Sequence, residues 1–125
     1  TISALHFASQ SGAKRLGGIV LVSGFAGRIP GLSTLDGFDV DGYADRAKIE
    51  AATIRAMSPV LHHVISTNDY AVPPAVSEQL AQRLGGTVHR VPDAGHFLDR
   101  EGFTELPVVL QAVEDVVQGA GVAGR

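Results

Sequence analysis

The chain has 125 residues, 45% of them hydrophobic and 18% charged, a composition that indicates one folded domain and excludes a disordered segment. Ten basic and thirteen acidic side chains give a net charge of −3, with no basic block, so we expect no nucleic-acid partner. No apolar run approaches the roughly 20 residues that span a bilayer, so we expect no membrane insertion. Without cysteine the chain forms no disulfide and no thiolate metal site, which is compatible with the cytoplasmic location that we expect.

The first predicted elements are a helix and a strand. Ile2, Leu5 and Ala8 recur at helical spacing, and Gly12 is a suitable residue to end that helix. Residues 19–22 are a continuous apolar run between glycines, which predicts a strand buried on both faces. Because such burial is typical of parallel strands covered by helices, this segment indicates a parallel sheet.

A long glycine-rich stretch, residues 24–42, follows the first predicted strand. Structureless loops of that length in a compact domain are usually functional or mobile. Residues 43–57 are rich in alanine, lysine, glutamate and arginine, which predicts one helix that ends at Ser58-Pro59. Residues 60–65 form the second predicted strand, which leads into a turn over residues 66–69.

The second half of the chain repeats the alternation of helix and strand. After a helix that begins at a pair of prolines, residues 87–91 form the third predicted strand and residues 92–97 a loop. A last helix carries Pro107 in its first turn. Its predicted apolar stripe consists of Leu106, Val109, Leu110, Val113 and Val117. Residues 119–125 are small and glycine-rich, so we predict one domain over residues 1–118 and a flexible tail.

This order of elements predicts an α/β fold, with three strands in a parallel sheet and helices on both faces. Because the chain opens with a helix, we expect its first strand to have a neighbour on the N-terminal side and interpret the sequence as a fragment. The edge beside residues 19–22 would then be open and apolar. We therefore predict that residues 1–125 alone self-associate or are insoluble, and this edge is also a possible site for a protein partner.

Two loops that follow predicted strands carry groups suited to acid–base chemistry. Asp69 follows the second predicted strand and His96 the third, and such strand ends lie side by side in a parallel sheet. A carboxylate that accepts the imidazole Nδ1–H selects the tautomer and stabilises the imidazolium. The pattern thus predicts His96 as general base and Asp69 as its orienting acid. Local turn hydrogen bonds are the alternative for both, and Asp93 and Asp99 are lesser candidates for the acid.

Three segments carry a resemblance to α/β-hydrolase-fold serine hydrolases. Residues 59–69 and 93–97 resemble the acid and histidine motifs, and residues 18–23 resemble the strand after the nucleophile helix. The likeness covers residues 1 to about 117 and is closest to the small, cap-poor hydrolases of the retinoblastoma-binding-protein-nine type. It implies the C-terminal half of that fold and cleavage of small-molecule ester, thioester or amide bonds. It implies no metal and no organic cofactor.

The nucleophile of such hydrolases lies in a Gly-x-Ser-x-Gly turn, which does not occur in residues 1–125. The helix at Thr1 resembles the one that follows this turn. We therefore expect the serine upstream of Thr1 and expect the 125 residues alone to be inactive. The alternative is a hydrolase-like protein-interaction module without turnover.

Aromatic residues beside the long loop are candidates for substrate contact. We expect Phe25 and Phe97 to bind the substrate. Together with Phe38 and Tyr43, Phe25 either lines an acyl pocket or anchors the loop to the sheet. Ser23 ends a strand on the same side without a nucleophile turn, and local hydrogen bonding is its simpler role.

Two groups of residues suggest metal sites, but neither has the arrangement of ligands that a metal ion needs. His62 and His63 are neighbours in a strand, so they point to opposite faces and cannot hold one ion. The run of Asp36, Asp39 and Asp41 lacks the remaining ligands and the glycine of a calcium loop. We expect no metal in either place.

Overall fold

The fold is built around a sheet of three parallel strands. A computed structural model of the chain describes residues 1–12, 15–58 and 60–123, with side chains through residue 119. The strands are, in chain order, β1 (Ile19–Val22), β2 (Thr34–Leu35), β3 (Phe38–Asp39), β4 (Leu61–Ser66) and β5 (Thr87–Val91). The helices are α1 (Ile2–Gln10), α2 (Val40–Arg46), α3 (Ala51–Met57), α4 (Pro74–Leu84) and α5 (Pro107–Ala123). The main sheet has the order β1-β4-β5, which confirms the predicted α/β class and the parallel sheet.

β4 is the central strand of this sheet. Leu61 lies opposite Ile19 of β1, and His62 lies opposite Thr87 of β5. All six residues of β4 are buried, whereas the residues of β1 are only half-buried. The prediction that residues 19–22 are buried on both faces is therefore wrong. In the described part of the chain β1 pairs only with β4, and an edge strand loses less surface to its neighbours.

Helices cover both faces of the sheet. One face packs on α1, α3 and α4 through a buried cluster that includes Leu5, Ile54, Leu61, Leu80 and Leu84. Successive strand residues point to opposite faces, so His62 faces the other way, toward Asp115 of α5. Val116 of α5 lies directly against Gly18, where any side chain would collide with it. This glycine therefore allows α5 to pack closely beside the start of β1.

The helix predicted over residues 43–57 is two helices, α2 and α3, separated by residues 47–50. Side chains of α1 satisfy the backbone of this break. His6 Nδ1 accepts the amide hydrogen of Lys48 at 2.8 Å, and Ser9 Oγ accepts that of Glu50 at 3.0 Å. The break is stable because a neighbouring helix supplies the acceptors that a continuous helix would have supplied itself. α3 ends at Met57 as expected, and Pro59 lies outside the described residues.

Part of the predicted long loop is a short β-hairpin. β2 and β3 are antiparallel, and the turn between them consists of Asp36 (φ 49°) and Gly37 (φ 82°). Positive φ at both central residues defines a type I′ turn, for which Asp-Gly is a preferred sequence. The hairpin therefore had a local sequence signal. Asp39 then caps α2 by accepting the amide hydrogen of Gly42 at 2.8 Å.

α5 packs through a face that only partly overlaps the predicted one, since Leu106 and Val109 of the predicted stripe are half-buried. Ala112 is fully buried and Val116 half-buried, whereas three members of the predicted stripe, Leu110, Val113 and Val117, are exposed. The helix is apolar on more than one side, so its periodicity did not identify the packed face. It runs through Ala123 and includes most of the predicted tail, and the division at residue 118 stays a prediction. None of the described helices is long and apolar enough to cross a membrane.

Candidate active site

The carboxyl ends of β4 and β5 bring Asp69 and His96 together. Asp69 lies three residues beyond the end of β4, and His96 lies in the loop after β5. His96 Nδ1 is 2.9 Å from Asp69 Oδ2 and 3.1 Å from Oδ1. The Asp69 side chain is 2% exposed and that of His96 31%. A buried carboxylate thus holds one nitrogen of an imidazole that solvent can still reach, the arrangement that the sequence predicted.

Three further hydrogen bonds hold Asp69 as an ionised acceptor. Its Oδ1 accepts the backbone amide hydrogens of Ala71 and Val72, each at 2.9 Å, and its Oδ2 accepts the Ser23 hydroxyl at 2.8 Å. Burial alone would raise the pKa of Asp69. The hydrogen bonds from His96, Val72, Ser23 and Ala71 outweigh burial and bring the pKa below its ordinary value. The carboxylate is therefore charged at neutral pH and can stabilise an imidazolium.

Ser23 reaches Asp69 from the end of β1, 46 residues away in sequence. Its backbone has φ 47°, a left-handed conformation that is uncommon outside glycine, and the residue is 7% exposed. The simpler role expected for Ser23, a local hydrogen bond, is wrong. All three strands of the sheet thus contribute a residue to one hydrogen-bonded group of Ser23, Asp69 and His96.

Glu101 stabilises the loop that carries His96 by hydrogen bonds to its backbone. Glu101 Oε2 accepts the amide hydrogens of both His96 and Leu98 at 2.9 Å. The hydrogen bond from the Leu98 amide is the largest cause that holds the pKa of Glu101 below its ordinary value, and hydrogen bonds from the Tyr70 hydroxyl and the His96 amide act in the same direction. Gly95 has φ 56°, and a side chain there would come within 2.5 Å of the Glu101 carboxylate. Sequence reasoning missed Glu101, which lies in the same loop but in no recognised motif.

The two lesser acid candidates have other partners. The Asp99 carboxylate accepts the amide hydrogen of Arg100 at 2.7 Å. Asp93 has φ 52°, and its amide donates to Thr67 Oγ1 at 3.1 Å. Of the three carboxylates considered for the acid, Asp69 is the one hydrogen-bonded to His96.

A cleft of about 580 Å³ opens beside His96. Its lining is apolar and includes Phe25, Leu35, Phe38, Tyr43, Tyr70 and Val72. Of the two predicted substrate contacts, the structure brings Phe25 to this cleft and not Phe97. The Phe97 backbone has φ 56°, and its ring packs edge-on against Phe103 with centroids 5.5 Å apart. The hairpin residue Leu35 also lines the cleft and was not predicted.

The remaining histidines of β4 and β5 are held by hydrogen bonds inside the sheet region. His62 Nδ1 is 2.8 Å from His89 Nε2, and His63 Nε2 is 2.8 Å from the Gly85 carbonyl oxygen. Burial is the main reason that the pKa values of His62 and His63 lie below normal. In the part of the chain that the structure describes, no three His, Cys, Asp or Glu residues are grouped to hold a metal.

Comparison with known proteins identifies relatives of this arrangement. A family model described as "Serine hydrolase" matches residues 1–115. The "Putative hydrolase YdeN" of Bacillus subtilis (strain 168) is 43% identical over 96 residues, which are 77% of this chain and 47% of that protein. The crystal structure of the ydeN gene product from B. subtilis superposes with a TM-score of 0.81 at 31% identity, covering 94% of this chain and 60% of that one. The chain spans about half the length of the curated relative that it matches.

Proposed function

Because the chain belongs to the serine hydrolase family, we propose that the whole protein cleaves ester, thioester or amide bonds of small molecules with a Ser-His-Asp triad. His96 is the general base and Asp69 the orienting acid, and the nucleophilic serine lies upstream of Thr1. The observation that carries the proposal is the 2.9 Å contact between His96 Nδ1 and the buried Asp69 carboxylate. A Ser-His-Asp triad uses such a pair to fix the tautomer of the histidine and to stabilise the imidazolium.

The proposed chemistry follows from which nitrogen of His96 is hydrogen-bonded to Asp69. Nδ1 faces Asp69, so Nε2 is the nitrogen that takes the proton of the serine as its oxygen attacks the carbonyl carbon. His96 then gives that proton to the leaving alcohol, thiol or amine, and an acyl-enzyme remains. Water, deprotonated in turn by His96, releases the acid and restores the serine. Asp69 stays ionised and stabilises the imidazolium at each proton transfer.

Ser23 is a poor alternative nucleophile. Its hydroxyl is buried and donates to Asp69 Oδ2, on the Nδ1 side of the imidazole. A nucleophile must instead lie within reach of Nε2 and of an oxyanion site. This supports a serine other than Ser23 as the attacking group, and the lack of a Gly-x-Ser-x-Gly turn in residues 1–125 favours a position upstream of Thr1.

The test is reaction of the full-length protein with a fluorophosphonate probe, followed by intact-mass and peptide mass spectrometry. An activated serine displaces fluoride from the probe and forms a stable serine–phosphorus bond. We expect one adduct, on a serine upstream of Thr1, and a labelling rate at least about 10³-fold lower in the His96→Ala variant. The matched control is the His89→Gln variant, which alters the contact between His62 and His89. This variant should be labelled at the wild-type rate.

Two results would overturn the proposal. A folded, unlabelled full-length protein would favour the interaction module without turnover. An adduct on Ser23 or on another serine within residues 1–125 would remove the assigned roles of His96 and Asp69.

A further inference from the structure

We propose that the cleft beside His96 binds an uncharged, apolar acyl group, and that Leu35 and Phe38 of the β2–β3 hairpin set the chain length that it accepts. The inference rests on the proposed hydrolase function and assigns the substrate class of that site. Three observations carry it: the position of the cleft, the absence of charge along its lining, and the exposure of the two hairpin side chains.

The cleft begins at the catalytic pair. His96 is one of its lining residues, and so are Ala71 and Val72, whose amides hold the Asp69 carboxylate. A group that fills the cleft therefore lies in contact with the segment that orients the base. Its volume of about 580 Å³ is within the range of pockets that enclose small ligands, about 300–1,000 Å³.

The lining of the cleft carries no aspartate, glutamate, lysine or arginine among the described residues. Two arginines adjoin lining residues, Arg28 next to Ile29 in sequence and Arg100 at the Tyr70 hydroxyl, and both have partners already. Arg28 forms a two-bond ion pair with Asp45, at 3.0 and 2.5 Å, and Arg100 donates to the Tyr70 hydroxyl at 3.0 Å. A substrate carboxylate entering this cleft would lose its water without gaining a cationic partner, which is unfavourable. An apolar acyl chain has no such cost.

The hairpin presents large apolar side chains that an occupant would cover. Leu35 is 56% exposed and Phe38 53% exposed, and both line the cleft. The hairpin is fixed at both ends: its turn is type I′, and Ser33 O accepts the amide hydrogen of Val40 at 3.0 Å. The Phe38 ring also packs on Tyr43 of α2, with centroids 5.6 Å apart. A rigid wall of this kind can distinguish acyl chains by their length.

The experiment measures kcat/KM of the full-length protein for p-nitrophenyl esters from acetate to decanoate. We expect kcat/KM to rise about fourfold for each methylene that the cleft covers, then to level off or fall. The hemisuccinate ester, which carries a carboxylate, should react at least about tenfold more slowly than the pentanoate ester of similar length.

The matched variants are Leu35→Ser and Leu110→Ser, since Leu110 of α5 is similarly exposed, at 60%, and lies outside the cleft. Leu35→Ser should lower kcat/KM for octanoate at least about tenfold more than for acetate, whereas Leu110→Ser should leave the profile unchanged. A flat chain-length profile, or equal losses for both esters in Leu35→Ser, would overturn the inference. Fluorophosphonate labelling of the same preparations separates the two proposals: a labelled enzyme with a flat profile contradicts only the acyl site, and an unlabelled one contradicts the hydrolase function itself.

Discussion

Two pairs of side chains connect the β4 and β5 regions, and each joins residues 27 positions apart in sequence. Asp69 pairs with His96 beyond the strand ends, and we call these two residues the outer pair. His62 pairs with His89 within the sheet, and we call these two the inner pair. The same β-α-β unit brings both pairs into contact, at nearly the same distance. Topology decides which residues meet. The chemistry of the partner and the exposure of the histidine decide what each pair can do.

The two pairs differ in charge and in access to solvent. His96 contacts an ionised carboxylate and is open to the cleft, as the base of the proposed triad must be. His62 is buried, its ring stacks on that of His89 with centroids 5.1 Å apart, and its partner is another base. Burial first, and His89 second, lower the pKa of His62, while Asp115 acts weakly in the opposite direction. His62 is therefore suited to a neutral, structural role.

The largest effect should come from removing the negative charge of Asp69 in the outer pair. Asp69→Asn keeps the shape of the side chain but removes its charge, and the amide can hold His96 in the wrong tautomer. We expect kcat to fall about 10⁴-fold, as it does when this carboxylate is replaced in Ser-His-Asp enzymes. Steady-state kinetics of the full-length protein, with thermal melts as a check on folding, measure this. A loss of less than about tenfold would show that the outer pair is not catalytic.

A smaller effect should follow from removing the Ser23 hydroxyl, which completes the hydrogen-bonded group of Ser23, Asp69 and His96. Ser23→Gly deletes the hydroxyl that donates to Asp69 and also relieves the positive φ, whereas Ser23→Ala deletes the hydroxyl and keeps the unfavourable backbone. We expect kcat/KM to fall about tenfold in both variants, because a hydrogen bond to a charged group is worth about 1.5–3 kcal/mol.

The two Ser23 variants should differ in stability, with Ser23→Gly the more stable of the two. A shifted low-field proton NMR signal for His96 Nδ1–H would identify the role of Ser23 as positioning. If Ser23→Gly retained wild-type activity and only Ser23→Ala lost it, the backbone would matter and the hydrogen bond would not.

The smallest effect concerns the two buried histidines of β4, His62 and His63, and the dependence of stability on pH. The folded-state pKa values of His62 and His63 lie below the ordinary value of about 6.5, so the unfolded chain takes up protons first as the pH falls. Stability should therefore be full above about pH 6.5 and decrease progressively below it. Asp69, whose pKa is also lowered, should add a further loss only below about pH 4.

Urea unfolding between pH 7.5 and 5 measures this decrease, and His62→Asn should make it shallower by removing one of the titrating groups. The activity of the variant at pH 7.5 should stay within about twofold of wild type, since His62 lies outside the cleft. Stability that rises as the pH falls from 6.5 to 5 would contradict the neutral, structural roles of His62 and His63.

Local sequence was sufficient for the elements whose packing agrees with their pattern. β5 has the predicted bounds, Thr87–Val91, and β4 differs by one residue at each end. The turn at Asp36-Gly37 also carried a local signal, a preferred type I′ sequence, but the prediction of a structureless loop did not use it. The break between α2 and α3 carried no such signal, because its amides are satisfied by His6 and Ser9 of α1, about 40 residues away.

The sequence alone was enough to give the order of the three main strands and the helical segments between them, and hence to predict that Asp69 and His96 follow adjacent parallel strands. Strand-end positions follow from topology, and topology follows from the alternation of helical and strand patterns. Only the tertiary structure decided that Ser23 joins this pair, that Glu101 supports the His96 loop, and that Phe25 but not Phe97 lines the cleft. The physical reason is that these contacts depend on side-chain directions and backbone angles set by packing, which no local pattern encodes.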